Sequence, residues 1–67
     1  MKKYIYVEVV KGEQIRQGFA TKAEAVGFGN MHFEANPDVE RAYIIEAEDD
    51  NPDLSSWVNG REIKSYK

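Results

Sequence analysis

The sequence predicts an α+β fold in one small domain of residues 1–67, and three observations lead to this class. Two β-branched and aromatic segments open the chain around a turn at Gly12. A segment with apolar residues at helical spacing follows, and a third β-branched segment, ERAYIIEAE, comes after it. A helix between the second and third strands is a crossover, so we expect a ββαβ core. Its three-stranded antiparallel sheet has the order 2-1-3, with the helix on one face.

The first strand, KKYIYVEVV, is apolar on both faces, since Ile5 and Val7 alternate with Tyr4 and Tyr6. A strand with two apolar faces is usually central, which agrees with the order 2-1-3. QIRQGFA alternates again and predicts the second strand of a hairpin. We expect the helix to pack on one face of this hairpin, formed by Ile5, Val7, Val9 and Phe19.

The helix is predicted to begin after Thr21, whose hydroxyl caps the chain in a TKAE capping box, and to end near Ala35 before Asn36 and Pro37. Gly27 and Gly29 each cost about 1 kcal/mol relative to alanine inside a helix. They therefore predict a close approach by a neighbouring element or a kink.

The helix is also apolar on more than one side, so one sheet face does not cover it. A chain of 67 residues gains only about 3–5 kcal/mol of net stability from its core. The sequence therefore predicts an interface with a second copy or with the tail. The candidate interface residues are Tyr4, Tyr6, Phe28, Met31 and His32.

The tail, DDNPDLSSWVNGREIKSYK, allows two readings. Pro52 at a first helical position, apolar residues at helical spacing and Gly60 as terminator favour a short helix. The alternative is a hairpin in which NG turns between the strands SWV and REI. In both cases Trp57 is expected to anchor the tail.

Composition and motifs argue against catalysis and against cofactor or metal sites. The chain has no cysteine and one histidine, and His32 has no acid, base or nucleophile set around it. GFGN falls in mid-helix, which is wrong for a phosphate-binding loop. Asp49, Asn51 and Asp53 resemble the opening of a calcium loop, but Leu54 stands where the glycine is needed. We expect no enzyme activity, no cofactor and no metal.

The net charge of −3 disfavours binding through nucleic-acid phosphates, because such binding requires clustered lysine and arginine side chains. The acidic residues form a run that is either a solvated loop or a patch for a basic partner. The candidate acidic patch consists of Glu46, Glu48, Asp49, Asp50 and Asp53.

These observations favour a non-catalytic interaction module that forms a homodimer or binds a protein partner. One alternative is single-stranded nucleic-acid binding, in which Tyr4, Tyr6 and Tyr43 on the sheet face away from the helix stack on bases. Another is an acidic inhibitor that imitates nucleic acid. The start of the chain lacks a signal-peptide pattern and no segment is apolar enough to span a bilayer, so we expect a cytoplasmic location without a membrane partner.

Overall fold

The computed structural model describes residues 2–67 and confirms the α+β class with an antiparallel sheet and one helix. The elements in chain order are β1 (Lys2–Val10), β2 (Glu13–Phe19), α1 (Lys22–Ala35), β3 (Arg41–Glu48) and β4 (Gly60–Ser65). The sheet order is β2-β1-β3-β4. The prediction of three strands was wrong, because the end of the tail adds a fourth strand beside β3.

The opening hairpin and the helix form where the sequence predicts them. Lys11 and Gly12 both have positive φ, 52° and 78°, as a two-residue hairpin turn requires. The Thr21 hydroxyl accepts the Glu24 backbone N–H at 3.2 Å, and the backbone N–H of Asn36 donates to the carbonyl of His32 at 3.0 Å. These caps set the length of α1 at both ends.

The helix lies on the opposite sheet face from the one predicted. Tyr6, Ala42 and Ile44 are buried under α1, whereas Ile5 and Val7 are buried on the other face. Val9 alternates with them on that other face, and only Phe19, which stands opposite Tyr4, is on the predicted side. Because β1 is apolar on both faces, its alternation does not say which face the helix covers.

The second face is covered by the chain's own loop of residues 49–59. Trp57 packs there against the cluster of Ile5, Val7, Ile45 and Ala47, so its expected role as an anchor is confirmed. Leu54 crosses behind β2 so closely that a side chain at Gly18 would collide with its carbonyl. Both faces of the sheet are thus packed within one copy.

The predicted tail helix is wrong, because side chains in the loop bind the backbone that a helix would need. Asp49, Asn51 and Asp53 each accept the backbone N–H two residues further on, all at 2.9 Å. Such turns compete with helical hydrogen bonding. The alternative hairpin is right only in its second strand, since REI lies within β4 and SWV is not a strand.

Lys3 fixes this loop to the sheet. Its side chain is only 2% exposed, and its ammonium lies 2.7 Å from Asp49 Oδ1. It also donates to the carbonyls of Asn51 and Asp53, at 3.4 and 3.1 Å. A buried ammonium requires such partners, because leaving it unpaired is strongly destabilising.

The tail also explains one of the two helix glycines. A Cβ at Gly29 would lie 2.7 Å from the hydroxyl of Tyr66, and that hydroxyl donates to Asn30 Oδ1 at 2.7 Å. The predicted close approach is confirmed at Gly29. It is wrong at Gly27, where an added Cβ would meet no atom of another element of residues 2–67 within 4 Å. No helix in the described residues is both long and apolar enough to cross a membrane.

Candidate functional site

The structure brings three of the five candidate interface residues together, but toward the core. The rings of Phe28 and His32 stack at 5.1 Å between centroids, and Tyr6 meets both edge-on at 5.5 and 5.7 Å. Tyr6 is 1% exposed, and Tyr4 is half-buried on the same face. Met31, by contrast, is 75% exposed. The outer part of the predicted interface is therefore Met31 with the exposed side of His32.

The prediction that Tyr4 and Tyr6 project away from the helix was wrong. Both lie on the face that α1 covers. Only Tyr43 lies on the other face, where it is half-buried and the Arg41 guanidinium sits 4.6 Å from the centre of its ring. The three tyrosines therefore do not form one open surface on which bases could stack.

Sequence analysis missed Glu8, which lies at the centre of a polar cluster beneath the helix. Tyr6 Oη donates to Glu8 Oε1 at 3.0 Å, and His32 Nδ1 lies 2.9 Å from the same oxygen. The carboxylate is an acceptor, so Nδ1 is the nitrogen that donates the proton of this hydrogen bond. The one signal in the sequence is that Glu8 alternates with Tyr4 and Tyr6 and so shares their face.

Burial and the neighbouring Glu8 carboxylate raise the pKa of Tyr6 well above its ordinary value. Tyr6 therefore stays protonated and donates its hydrogen bond. No hydroxyl or thiol of residues 2–67 hydrogen-bonds to His32, so the cluster lacks the nucleophile that a carboxylate–imidazole pair would activate. Its clear structural effect is to fasten the C-terminal half of α1 to β1.

An apolar surface remains uncovered on the side of α1 that faces β2. Met31 follows Phe28 by three residues and so lies on the same side of the helix. The Phe28 ring is 5.3 Å from Phe19 of β2, and Ile15 of β2, which stands opposite Glu8, is 52% exposed. We call Ile15, Phe19, Phe28 and Met31 the β2 patch.

The β2 patch adjoins a strand edge without a partner. β2 is the outermost strand on its side of the sheet, and its residues from Glu13 to Gln17 are exposed. The backbone groups on its outer side therefore have no partner strand among residues 2–67. An edge of this kind is a template on which another strand can pair.

The opposite edge, β4, is protected from such pairing. Half of its six residues are charged, namely Arg61, Glu62 and Lys64, and charged side chains discourage strand addition. Arg61 pairs with Glu46 at 3.1 Å and Glu62 with Arg41 at 2.9 Å. An irregularity between Ile44 and Ile45 also interrupts the pairing of β4 with β3.

The structure divides the candidate acidic patch between two sides of the sheet. The register places Glu46 and Glu48 on the helix face, opposite Tyr4 and Lys2. Asp49, Asp50 and Asp53 belong to the loop on the other face.

Several of these carboxylates have partners within the chain. The hydrogen bond from Lys3 lowers the pKa of Asp49, and the hydrogen bonds from Ser55 lower the pKa of Asp53. At Glu46 partial desolvation works to raise the pKa, but Arg61 and Lys2 outweigh it and the pKa falls. Only Glu48 and Asp50 of the five make no hydrogen bond or ion pair with residues 2–67. Three of the five carboxylates of the predicted acidic patch are therefore engaged by other groups of the same chain.

Within residues 2–67, no group of three or more histidine and acidic side chains is arranged to hold a metal ion. Comparisons with protein-family models, with curated proteins and with solved structures found no match for this chain.

Proposed function

We propose that this protein is a non-catalytic interaction module that self-associates as a homodimer through the β2 edge. The observation that carries the proposal is the position of the β2 patch beside an unpaired strand. Ile15, 52% exposed, lies on this strand itself, and Met31, 75% exposed, lies on the side of α1 that carries Phe28. Pairing two β2 strands would bury both features together.

Symmetry restricts the register of this pairing. A two-fold axis perpendicular to the sheet makes the two β2 strands antiparallel and keeps both helices on the same face. Residues that face each other must then share a sheet face, so one β2 residue stands opposite its own copy. We place Ile15 there, because it is the large apolar side chain at the middle of the exposed residues Glu13–Gln17. Gln14 in turn faces Arg16 of the second copy, a pairing in which an amide oxygen meets a guanidinium. The two β2 patches meet on the helix side of the joined sheet.

The charge of the two edges supports β2 as the contact. β2 carries one acid, Glu13, and one base, Arg16, and is neutral, whereas the whole chain carries −3. Two neutral edges approach without the repulsion that the rest of the surface produces. The β4 edge is not neutral, since it carries two basic residues and one acidic residue.

The test is the molar mass of the purified protein and of two matched variants, measured by size-exclusion chromatography with light scattering. We expect the wild type to reach about twice the 7.7 kDa of one chain as its concentration rises. Ile15→Lys places two like charges opposite each other at the two-fold axis, so it should remain monomeric.

Val58→Lys is the control, because Val58 is 76% exposed and lies in the loop on the other sheet face. It should dimerise like the wild type. A wild type that stays monomeric at the highest soluble concentration contradicts the proposal, as does equal disruption by both variants. Circular dichroism spectra of the three proteins establish that each is folded.

A further inference from the structure

A second feature, independent of the β2 patch, lies where α1 ends. A cavity of about 360 Å³ opens between the end of β1 and the loop from α1 to β3. This volume is within the range of small-molecule sites, about 300–1,000 Å³. Its walls include the apolar side chains of Val10, Ala35, Pro37 and Val39.

The walls are held in place by hydrogen bonds from both sides. The backbone N–H of Glu40 donates to the carbonyl of Val9 at 2.8 Å, and the Glu40 carboxylate accepts the N–H of Gly12 at 3.2 Å. The side-chain amide of Asn36 donates to the carbonyl of His32 at 3.0 Å. The cavity is therefore built into the fold, because its loop is fastened to the β1–β2 turn and to the helix end.

Glu8 forms part of this wall, and one of its two carboxylate oxygens accepts no hydrogen bond from the described residues. The residue is 3% exposed, yet its hydrogen bonds with Tyr6 and His32 both end on Oε1. Oε2 accepts none from residues 2–67. No fully buried side-chain oxygen among those residues lacks a partner, so Oε2 keeps some exposed surface, and Glu8 is one of the residues that line the cavity. A buried carboxylate with one unused oxygen favours a cationic hydrogen-bond donor.

The charges around the cavity point the same way. Glu8, Asp38 and Glu40 line it together with one base, Lys11, so its lining is net negative. Within the described residues the Glu8 carboxylate hydrogen-bonds to Tyr6 and His32 and forms no salt bridge with Lys11. A ligand with an apolar stem and a positively charged end matches both the apolar walls and the acidic side chains of this cavity.

We propose that this cavity binds a primary alkylammonium group, with the ammonium donating to Glu8 Oε2 and the alkyl stem lying between Val10, Ala35 and Val39. The group belongs either to a small free amine or to a lysine side chain of another polypeptide. Binding requires no covalent step and no self-association of the protein.

The test is a titration of the ¹⁵N-labelled full chain with n-butylammonium chloride, followed by amide chemical shifts. We expect saturable shifts at Val10, Ala35 and Val39, and much smaller ones with n-butanol at matched ionic strength. Glu8→Gln should raise the dissociation constant about tenfold or more, as expected for loss of a charge-assisted hydrogen bond. Glu34→Gln, at an exposed glutamate of α1 that does not line the cavity, should bind like the wild type.

Equal shifts with butylammonium and butanol overturn the proposal, and so does equal binding by the two glutamine variants. If Glu8→Gln fails to fold, Ala35→Leu decides, because it fills the cavity and leaves Glu8 and His32 in place. Binding that survives Ala35→Leu overturns the proposal. A second titration uses the peptide acetyl-Gly-Lys-Gly-amide. Shifts at the same residues assign the site to lysine side chains, whereas shifts with butylammonium alone assign it to free amines.

Discussion

Substituting alanine at the two glycines of α1 should change the stability of the protein in opposite directions. Gly27→Ala adds a methyl group where nothing lies within 4 Å, so it keeps the full gain in helix propensity, about 1 kcal/mol. For a domain of this size that gain raises the melting temperature by about 4–8 °C.

Gly29→Ala gains the same propensity but must displace Tyr66. The new Cβ would lie 2.7 Å from the Tyr66 hydroxyl and 3.0 Å from two ring carbons. Moving the ring gives up its 2.7 Å hydrogen bond to Asn30, about 1 kcal/mol. It also weakens the ring contacts with Phe33 and Tyr6, about 0.5–1.5 kcal/mol each. The losses total about 2–4 kcal/mol, so after the propensity gain we expect a net destabilisation of about 1–3 kcal/mol.

The assay is urea and thermal unfolding followed by far-ultraviolet circular dichroism. A control adds Tyr66→Ala to both the wild type and Gly29→Ala. In that background the obstacle is gone, and Gly29→Ala should become stabilising like Gly27→Ala. If Gly29→Ala stabilises the protein as much as Gly27→Ala with Tyr66 present, the packing of the tail on α1 is refuted.

Two further predictions concern the loop and the buried tyrosine. Gly18→Ala forces the Leu54 backbone away from β2 and should destabilise the protein by about 1–3 kcal/mol. The fluorescence of Trp57, the only tryptophan, should shift to the red as the loop moves away from the sheet. An unchanged spectrum would contradict the packing of the loop. Burial raises the pKa of Tyr6 in the folded state, so its stabilising contribution is full below the unfolded pKa of about 10 and is lost as the pH rises above that value. Urea unfolding between pH 8 and 11 should therefore show a smaller alkaline loss of stability for Tyr6→Phe than for the wild type, and equal losses would contradict the assignment.

Local signals in the sequence were sufficient for the hairpin and for α1. The Lys11–Gly12 turn, the Thr21 cap and the Asn36 end of the helix all involve residues within a few positions of one another. The central place of β1 followed from its two apolar faces. Local chemistry of this kind is encoded by neighbouring residues and needs no knowledge of the tertiary fold.

The orientation of the sheet and the conformation of the tail depend on long-range contacts. Glu8 resembles a solvent-facing residue in its strand, but it is buried, and one of its two hydrogen-bond partners is His32, 24 positions away. Lys3 resembles a terminal base, yet it is buried by carbonyls about fifty positions away. The tail has the apolar spacing of a helix, but it forms successive turns in which side chains accept backbone N–H groups. Lys3 holds these turns against the sheet. Apolar periodicity does not carry information about such pairings.

Phe28 and Met31 of the β2 patch were among the candidate interface residues predicted from the sequence. Helical spacing placed Met31 and His32 on an uncovered flank, and the structure leaves Met31 exposed. The predicted order 2-1-3 already placed β2 at an edge of the sheet, as the structure has it, but Ile15 was not among the candidate interface residues. The Glu8 cavity was missed because its walls come from two segments that are distant in the sequence, residues 8–11 and 35–40.

The most direct test of self-association through β2 is amide hydrogen–deuterium exchange of the wild type over about a hundredfold range of protein concentration. If two copies pair through this strand, the outward-pointing amides of Glu13–Gln17 exchange more slowly as the concentration rises. Those of the β4 edge keep the same rate and serve as the internal reference. Exchange in β2 that is independent of concentration, or protection that appears equally at both edges, would contradict the account.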